Sequence, residues 1–302
     1  MKIVNMSAEL IPQSAGLEGV YKQIELAGRT AYKSEDRITD TSAEKFVNML
    51  IKRKHNAALE HGTIYLYITY NHHYPKNPNY LQKQLADDIA LKYINNPYSN
   101  VNHIYMGGDY YITTNYRVII ENNWEEDLKY LVSTPCSYHE KRLTIKFILS
   151  RGIANEFVRH RVFSFLQEST RYCNYSKDKF GGVSFISSID CPLKLGEYTL
   201  NNDIDIIKDG NIYISNKEVK NLSPEEVTLY AYCTSEQLYL SLLDQGVKPQ
   251  IARDVLPLGL KTELVMTGTI RQWRDFLSLR CASDAHPDAR YLADGVKDML
   301  GF

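Results

Sequence analysis

The chain has 302 residues, of which 44% are hydrophobic and 24% charged, and this ordinary globular composition excludes disordered, collagen-like and coiled-coil proteins. Lys and Arg number 35 against 36 Asp and Glu, so the net charge is −1 and no overall field attracts nucleic acid or an anionic membrane. The longest apolar runs fall short of the roughly 18 residues that a membrane span needs, and the N-terminus lacks a signal-peptide core, so we expect a cytoplasmic protein that binds neither membrane nor nucleic acid.

Hydrophobic periodicity predicts two helices near the N-terminus. Apolar residues recur at three- and four-residue intervals over residues 17–24 and again over residues 43–50. A capping box over residues 41–44 marks the start of the second helix. Alternation of aliphatic residues with polar or aromatic ones predicts strands over residues 63–70 and 143–149.

Two turn-rich stretches interrupt this pattern, at about residues 71–142 and 181–221. The first is rich in Asn, Tyr, Pro and Gly, and we expect it to hold a helix over residues 80–93 and a strand near residues 110–114. We interpret both stretches as insertions that elaborate a core. We therefore expect one domain over residues 1–302.

The C-terminal third is predicted to begin with a helix whose first turn is Ser223-Pro-Glu-Glu226, where Ser caps the helix and Pro takes the first helical position. It is predicted to extend to about Gly246. A short amphipathic segment, a strand and a helix capped by Thr269 are then predicted over residues 248–255, 261–267 and 270–280. Helices and strands without a regular βαβ alternation favour an α+β fold, with a mixed helix and antiparallel-sheet core, over a doubly wound sheet.

Cationic side chains are concentrated between Arg159 and Arg171. Arg159, His160, Arg161 and Arg171 fall within thirteen residues, just after an apolar strand. Guanidinium groups bind phosphate oxygens in bidentate fashion, so this spacing indicates an anion site, although a solvated basic face paired with Asp and Glu fits the composition equally well. If the segment is helical, Arg159 and Arg161 point about 200° apart, which suits two anions or a site between subunits.

Arg280 has an unusual position on its predicted helix. It follows Trp273 by seven residues and Phe276 by four, which places it on the apolar stripe. A cation on that face is costly unless it has a carboxylate partner or an anionic ligand. The sequence leaves both open: a buried ion pair with, for example, Asp254 or Glu263, or a bound anion.

Motifs for other kinds of site are missing from the sequence. There is no Gly-x-x-x-x-Gly-Lys-[Ser/Thr] phosphate loop, and Gly107-Gly108 is not a dinucleotide fingerprint. Five scattered cysteines without a Cys-x-x-Cys pair argue against a disulfide framework or a zinc ribbon, and there is no His-Glu-x-x-His motif, so we expect no metal. We interpret the adjacent His72 and His73 as a solvated surface pair.

The cationic segment resembles the signature of the flavin-dependent thymidylate synthases. Arg159-His160-Arg161, seven further residues and Ser169-x-Arg171 match the family pattern Arg-His-Arg-x7-Ser-x-Arg at every fixed position. Other segments resemble the family in the same order along the chain: Gly28-Arg29-Thr30-Ala31-Tyr32, His55-x4-Glu60-His61, Ala252-Arg253-x-Val-Leu-Pro257-Leu, Thr269-x-Arg271-x-Trp273 and Leu279-Arg280. Agreement at six points in order is far more specific than any one motif.

The resemblance implies an enzyme that binds FAD in an α+β fold and assembles as a homotetramer, with active sites where subunits meet. It implies the reductive methylation of dUMP to dTMP, with methylenetetrahydrofolate as the carbon donor. FAD, recharged by NADPH, is the implied source of the hydride. The implied small-molecule partners are therefore dUMP, folate and NADPH.

The resemblance also implies site residues by position. The residues implied for the FAD site are His55, Ala57, Glu60, Arg159, His160, Arg161, Thr269, Arg271 and Asp275. Those implied to hold dUMP are Glu156, Arg159, Gln167, Glu168, Ser169, Thr170, Arg171, Arg253 and Arg280. The backbone of residues 168–171 is expected to cradle the phosphate, and Arg171 adds a guanidinium fork. Arg280 is the implied catalytic residue, because its charge would stabilise the uracil ring as C5 becomes nucleophilic.

The chain departs from the family pattern at a few of these positions. Ala57 stands where the family usually has a hydroxyl residue that contacts the flavin, and Ala31 where Ser or Cys is common, so we expect one or two hydrogen bonds to FAD to be lost or replaced. Glu156 replaces a frequent Gln near the uracil. These departures bear on cofactor affinity more than on the type of reaction.

Two rival interpretations remain. Residues 134–139 superficially resemble the nucleophile segment of cysteine-dependent thymidylate synthases, but Cys136 is followed by Ser and lies in the first insertion, so we expect a small buried or half-buried residue there. A nonenzymatic nucleic-acid-binding module would combine the cationic segment with some of the 23 tyrosines as stacking platforms. The balanced charge argues against that module.

Overall fold

The computed structural model describes residues 1–69, 80–104, 108–177, 181–201, 205–208, 210–214 and 219–302. His72 and His73, together with the start of the first insertion, lie outside the described residues. In these ranges no helix combines the length and the hydropathy that a bilayer crossing needs.

Helices and strands are mixed along the described chain, as an α+β fold requires. The helices are α1 (Gly16–Tyr32), α2 (Ala43–Lys52), α3 (Tyr80–Ile94), α4 (Tyr116–Glu121), α5 (Arg151–Phe157), α6 (Pro224–Asp244), α7 (Pro249–Ala252), α8 (Ile270–Arg280) and α9 (Pro287–Leu300). The strands are β1 (Lys2–Val4), β2 (Ser7–Ile11), β3 (Thr63–Thr69), β4 (Asn100–Ile104), β5 (Asp109–Asn115), β6 (Arg142–Ser150), β7 (Ser164–Gln167), β8 (Ser184–Ile186), β9 (Gly196–Asn201), β10 (Asp205–Lys208), β11 (Asn211–Ile214) and β12 (Lys261–Thr269). The predicted α+β class is confirmed.

The described strands form three sheets, with the orders β11-β10-β9-β1-β8, β2-β6-β12-β7 and β3-β5-β4. Neighbouring strands are antiparallel except for β1 and β8, which pair in parallel. The sequence predictions of α1, α2, α3, α6, α8, β3, β5, β6 and β12 are confirmed.

The central sheet, β2-β6-β12-β7, positions the candidate site. β12 pairs with β6 over nine residues, from Lys261 opposite Ser150 to Thr269 opposite Arg142. On its other side β12 pairs with β7, from Leu264 opposite Gln167 to Thr267 opposite Ser164. We call the two ends of these paired strands the Lys261 end and the Thr269 end, after the first and last residues of β12.

Helices α5 and α8 cover one face of the central sheet through a buried aromatic cluster. Trp273 and Phe276 on α8 are fully buried, as are Phe157 on α5 and Phe147 on β6. The Trp273 indole N–H donates a hydrogen bond to the carbonyl of Leu143, so the ring's polar atom is satisfied where it is buried. The i, i+3, i+4 pattern of α8 thus identified its buried face correctly.

The first insertion packs on the N-terminal helices. β3 and β5 pair over seven residues, from Thr63 opposite Asn115 to Thr69 opposite Asp109. One hydrophobic cluster joins Tyr93 and Ile112 of the insertion to Val20 and Leu50 of α1 and α2. The side chains of β3 are mostly buried, because α3 and the 3-10 segments of this region cover faces that alternation alone left solvated.

Two local expectations differ from the structure. The predicted capping box of α2 does not form: Ser42 is the N-cap residue, and its hydroxyl donates to the Glu25 carboxylate at 2.9 Å and lies 3.1 Å from the Thr39 carbonyl. The second insertion holds strands β8 to β11, which pair with each other or with the N-terminal β1. Of these strands, β8 and β9 pair with β1, which lies more than 180 residues away in the sequence, so no local pattern reveals that pairing.

Candidate active site

A cavity of about 900 Å³ opens at the Thr269 end of the central sheet. Five of the nine residues implied for FAD line it: Glu60, Arg161, Thr269, Arg271 and Asp275. The opposite wall comes from the first insertion and includes Asn96, Tyr98, Ser99, Asn100, Asn115 and Arg117. This volume lies in the range of protein sites for small molecules and cofactors.

Thr269 joins β12 to α8 and caps the helix, as predicted. Its hydroxyl accepts a hydrogen bond from the backbone N–H of Gln272 at 3.2 Å, and the Gln272 side chain accepts one from the Thr269 N–H at 2.7 Å. The N-terminus of α8 therefore borders the cavity with Arg271 and Gln272. The partial positive charge of a helix N-terminus and the Arg271 guanidinium both favour an anionic group there.

Arg142 is a half-buried residue in the cavity lining that sequence reasoning missed. One guanidinium nitrogen donates to the Glu60 carbonyl at 3.1 Å and to the Thr63 hydroxyl at 3.4 Å, and the other donates to the Ser164 hydroxyl at 3.2 Å. Burial lowers the pKa of Arg142. The residue ties β3, β6 and β7 together at the cavity floor. An arginine at the start of an otherwise apolar strand is the sequence signal that could have identified it.

Glu60 is oriented by Arg117 of the first insertion. Arg117 Nη1 lies 2.6 Å from Glu60 Oε1, and Arg117 Nε donates to Glu121 Oε1 at 2.9 Å. Burial opposes the charge of Arg117, but the two carboxylates outweigh it and raise the arginine's pKa. Sequence reasoning identified Glu60 and missed Arg117, because the two residues are 57 positions apart.

His61 is a buried neutral imidazole behind the cavity floor. It has no exposed surface, and its Nδ1 lies 2.8 Å from the Thr267 hydroxyl, which in turn contacts the Thr144 hydroxyl at 2.7 Å. Burial and the positive charge of Arg142 lower the pKa of His61 to about 3. Its Nε2 is buried without a hydrogen-bond partner among the described residues. His61 is therefore uncharged at neutral pH and offers no charge to an anion.

The segment Arg159-His160-Arg161 is a turn. α5 ends at Phe157, and the N–H groups of Arg159 and His160 bond to the carbonyls of Glu156 and Phe157, three residues back. Arg159 and Arg161 are both exposed, and Arg161 lines the cavity. The 200° separation of the two arginines applied only to a helical segment, so it does not hold for this turn.

Arg280 pairs with Glu156 at the C-terminal ends of α8 and α5. Its Nη1 lies 2.6 Å from Glu156 Oε2, and its Nη2 donates to the Glu156 carbonyl at 2.8 Å. The carboxylate partners suggested by sequence, Asp254 and Glu263, are wrong. Asp254 lies beside Arg253, and Glu263 is held by lysines at the Lys261 end.

His160 completes this Arg280 cluster. Its Nε2 accepts a hydrogen bond from Arg280 Nε at 3.0 Å, so the ring nitrogen facing the arginine is unprotonated. Burial and the charge of Arg280 both lower the pKa of His160. The Arg280 side chain keeps 17% of its surface exposed, which leaves part of the guanidinium accessible to a ligand.

The second group of predicted residues lies at the Lys261 end. The backbone N–H of Glu168 donates to the Glu263 carbonyl at 2.8 Å, and that of Ser169 donates to the Ala31 carbonyl at 3.0 Å. These two N–H groups bond inside the protein and are not directed at an external anion. Of the backbone cradle expected over residues 168–171, only the second half is left to serve a ligand.

Side chains of this group are partly exposed and partly tied to one another. Arg253 Nη1 donates to the Thr170 hydroxyl at 3.0 Å, and Gln167 Nε2 donates to the Thr262 hydroxyl at 3.3 Å. Arg171 is exposed. The structure therefore brings Thr170, Arg171 and Arg253 to the Lys261 end of the sheet, where the resemblance implies a phosphate site.

Glu168 is occupied by partners inside the protein. Only 2% of the residue is exposed, its Oε1 accepts a hydrogen bond from the Tyr175 hydroxyl at 2.8 Å, and its Oε2 lies 3.2 Å from Lys261 Nζ. Its side chain therefore positions the loop after β7.

Within one chain the predicted dUMP residues form two groups. The register of β7 puts Ser164 at the Thr269 end and Gln167 at the Lys261 end, so the turn at Arg159 and the loop after Gln167 lie at opposite ends of that strand. His55 and Ala57 are exposed outside the 900 Å³ cavity, and His55 Nδ1 lies 2.8 Å from the Tyr32 hydroxyl. A single chain does not unite all the predicted residues in one cavity.

Cys136 is exposed, so the expectation of a buried or half-buried thiol is wrong. Its Sγ lies 3.4 Å from His139 Nδ1, which also accepts a hydrogen bond from the Cys136 N–H at 3.2 Å. His139 Nε2 lies 3.1 Å from the Leu66 carbonyl, and burial lowers the pKa of His139. A neutral imidazole gives a thiolate no cationic partner, which does not suit a nucleophile.

The fold and the site define a class of α+β proteins with an arginine-rich, cofactor-sized cavity beside a central antiparallel sheet. Residues 138–301, more than half of the chain, match the family described as thymidylate synthase complementing protein. The chain belongs to this family.

Curated relatives extend this similarity at modest identity. The chain is 26% identical over 159 residues to a probable flavin-dependent thymidylate synthase of Paramecium bursaria Chlorella virus 1, which covers 52% of this chain and 65% of that protein. It is 29% identical over 153 residues to the flavin-dependent thymidylate synthase of Synechocystis sp., covering 50% and 62%. The matched segments thus span less than two thirds of these relatives.

A solved structure also aligns with the chain. It is a UMP/dUMP methylase, PolB, from Streptomyces cacaoi bound with 5-Br dUMP. The sequence identity is 17%, the TM-score is 0.41, and the alignment covers 100% of this chain and 92% of that one.

Proposed function

We propose that this chain is a flavin-dependent thymidylate synthase, which converts dUMP to dTMP by reductive methylation. The carbon donor would be methylenetetrahydrofolate, and NADPH would recharge the flavin. Family membership supports the proposal, and so do the residues of this chain: the complete Arg-His-Arg-x7-Ser-x-Arg pattern places Arg161 on a cavity of cofactor size. That coincidence of motif and cavity is the observation on which the proposal rests.

The cavity residues suit FAD as the flavin. FAD carries a pyrophosphate, and Arg161, Arg271 and the N-terminus of α8 present positive charge to the cavity. Glu60 and Asp275 offer acceptors for the N–H and hydroxyl groups of the cofactor. When bound, FAD would supply the hydride that reduces the transferred methylene group to a methyl group.

The two groups of predicted dUMP residues suit a site shared between subunits. Arg159, Glu156 and Arg280 lie near the turn that precedes β7, whereas Thr170, Arg171 and Arg253 lie beyond its far end. In a homotetramer, the first group of one protomer can face the second group of another, and this arrangement would unite the guanidinium groups around one nucleotide.

Arg280 is the residue we propose to act on the reacting ring. Glu156 and His160 hold the guanidinium in one orientation, and part of it stays accessible. A cation fixed before the reaction stabilises negative charge that develops on the pyrimidine without reorganising in the transition state. Because His160 is neutral, it orients Arg280 by accepting a hydrogen bond, and the positive charge of the pair stays on the guanidinium.

The direct test is an anaerobic incubation of the purified chain with dUMP, methylenetetrahydrofolate, FAD and NADPH. Formation of dTMP that requires the flavin, measured by liquid chromatography and mass spectrometry, is expected. Salt-dependent oligonucleotide binding by a flavin-free protein that forms no dTMP would instead favour the nucleic-acid-binding module. Arg280→Ala serves as the matched inactive variant.

A further inference from the structure

Carboxylates at the Lys261 end are already neutralised by lysines. Glu263 pairs with Lys33, with Lys146 at 2.7 Å and with Lys261 at 2.5 Å. Burial opposes the charge of Glu263, but these three lysines overcome it and lower its pKa to about 2. The other buried carboxylate, Glu168, is taken by Lys261 and the Tyr175 hydroxyl. Neither carboxylate offers a free oxygen to another cation.

Two arginines at the same end have no carboxylate within hydrogen-bond distance among the described residues. Arg253 donates to the neutral Thr170 hydroxyl, and the carboxylate that faces it among the described residues, Asp254, is 4.0 Å away with 73% of its side chain exposed. A contact of that length at the surface contributes little. Arg253 is therefore a half-buried cation, 35% exposed, whose charge is left to be compensated by something else.

Arg151 is the second of these arginines, and it begins α5 where β6 ends. Its backbone N–H donates to the Leu260 carbonyl at 2.9 Å, which fixes the residue beside Lys261. Its Nη1 is buried without a hydrogen-bond partner among the described residues. Burial and the like charge of Arg253 lower the pKa of Arg151, and the nearby Tyr175 and Glu168 side chains offset only part of this lowering. A buried guanidinium nitrogen without an acceptor, next to a second guanidinium, is costly unless an anion binds between them.

We propose that Arg151 is a further ligand of the substrate's phosphate group, which it binds together with Arg253 and Thr170. The inference rests on the proposed function, because that function supplies a nucleotide with a terminal phosphate. A phosphate monoester carries close to two negative charges at neutral pH and accepts guanidinium forks through three oxygens. Arg151 lies outside every motif that relates this chain to its family, so its role follows from its surroundings alone.

Binding measurements on the FAD-loaded full-length protein test this role. Calorimetric titration would compare dUMP with deoxyuridine, which lacks the phosphate, for the parent chain, Arg151→Gln and Arg151→Lys. We expect Arg151→Gln to weaken dUMP binding by about 10- to 100-fold, the range for a charge-assisted hydrogen bond, and to leave deoxyuridine binding unchanged. Arg151→Lys should lose less, since it retains the charge. Arg37→Gln removes an exposed arginine elsewhere and serves as the control.

Thermal unfolding separates a ligand role from a structural one. Because Arg151 Nη1 has no hydrogen-bond partner among the described residues of the ligand-free protein, Arg151→Gln should melt at the same or a higher temperature than the parent chain. Added dUMP should then raise the melting temperature of the parent chain more than that of the variant. FAD affinity should be equal in both, which distinguishes the dUMP phosphate from the pyrophosphate of the cofactor.

The outcomes are distinct. If the parent chain binds dUMP and Arg151→Gln binds it equally well, the inference is overturned and the proposed function stands. A lower melting temperature for Arg151→Gln, with dUMP and deoxyuridine weakened alike, would make Arg151 a structural residue and also overturn the inference. If the parent chain binds no dUMP, the proposed function itself is overturned, and the phosphate assignment with it.

Discussion

His61 gives the protein a pH-dependent stability whose size follows from its surroundings. Its ordinary pKa of 6.5 applies in the unfolded chain, whereas burial and Arg142 lower it to about 3 in the folded protein. At pH values between about 3 and 6.5, His61 is protonated in the unfolded chain but not in the folded protein. The contribution of His61 is therefore complete above pH 6.5 and is lost as the pH falls toward 3.

The magnitude can be worked out for a convenient pair of conditions. At about pH 5, protonation stabilises the unfolded chain by about 2 kcal/mol relative to about pH 7, while the folded protein remains unprotonated at His61. The variant His61→Asn removes this titration but keeps an amide that can bond to the Thr267 hydroxyl. The free energy of unfolding should thus fall by about 2 kcal/mol more in the parent chain than in the variant.

Urea unfolding of the ligand-free protein at fixed concentration, followed by circular dichroism at both pH values, measures this difference. His286→Asn is the matched control: His286 is exposed and caps α9 by accepting from the Asp288 N–H, a bond that Asn can also accept. Equal losses of stability in the parent chain and in His61→Asn would refute a neutral buried His61.

Three further substitutions test other parts of the structure. Arg280→Ala should lower the rate of dTMP formation by at least about 100-fold, with a much smaller change in dUMP affinity, because its fixed charge acts on the transition state; an unchanged turnover number would remove its catalytic role. Cys136→Ala should leave the rate of dTMP formation unchanged, and a collapse of that rate in a folded variant would revive a cysteine nucleophile. Gly268→Ala should destabilise the protein by about 1–3 kcal/mol in urea unfolding, because the added Cβ would lie 2.4 Å from the Phe163 ring; parental stability would show that the ring moves freely.

Much of the local structure was predictable because short-range patterns carry it. The apolar stripe over residues 17–24 anticipated α1, and Thr269 anticipated the start of α8 through a capping interaction confined to four residues. The capping box of α2 failed because Ser42 found a tertiary partner in Glu25, a residue on a different helix. Local signals hold where no distant partner competes for the same side chain.

The candidate site likewise has a part that local motifs predicted and a part that depends on distant contacts. Motifs identified Glu60, Arg161, Thr269, Arg271 and Asp275, and the fold brings them to one cavity. Sequence did not reveal that the first insertion builds the opposite wall. That wall requires strand pairings and ion pairs between residues dozens of positions apart, and local sequence patterns do not predict which distant residues pair.

By itself, the sequence determined the α+β class, which faces of the main helices are buried, and a cationic segment with an unusual arginine on an apolar stripe. Periodicity predicts that a side chain is buried, but it does not predict which residues that side chain contacts. Only the tertiary structure decided that Arg280 pairs with Glu156 and that Glu263 is surrounded by lysines. It also decided that Arg151 and Arg253 have no carboxylate within hydrogen-bond distance among the described residues. The partner of each charged side chain depends on which distant segments pack together, and only the tertiary structure of the chain decides that packing.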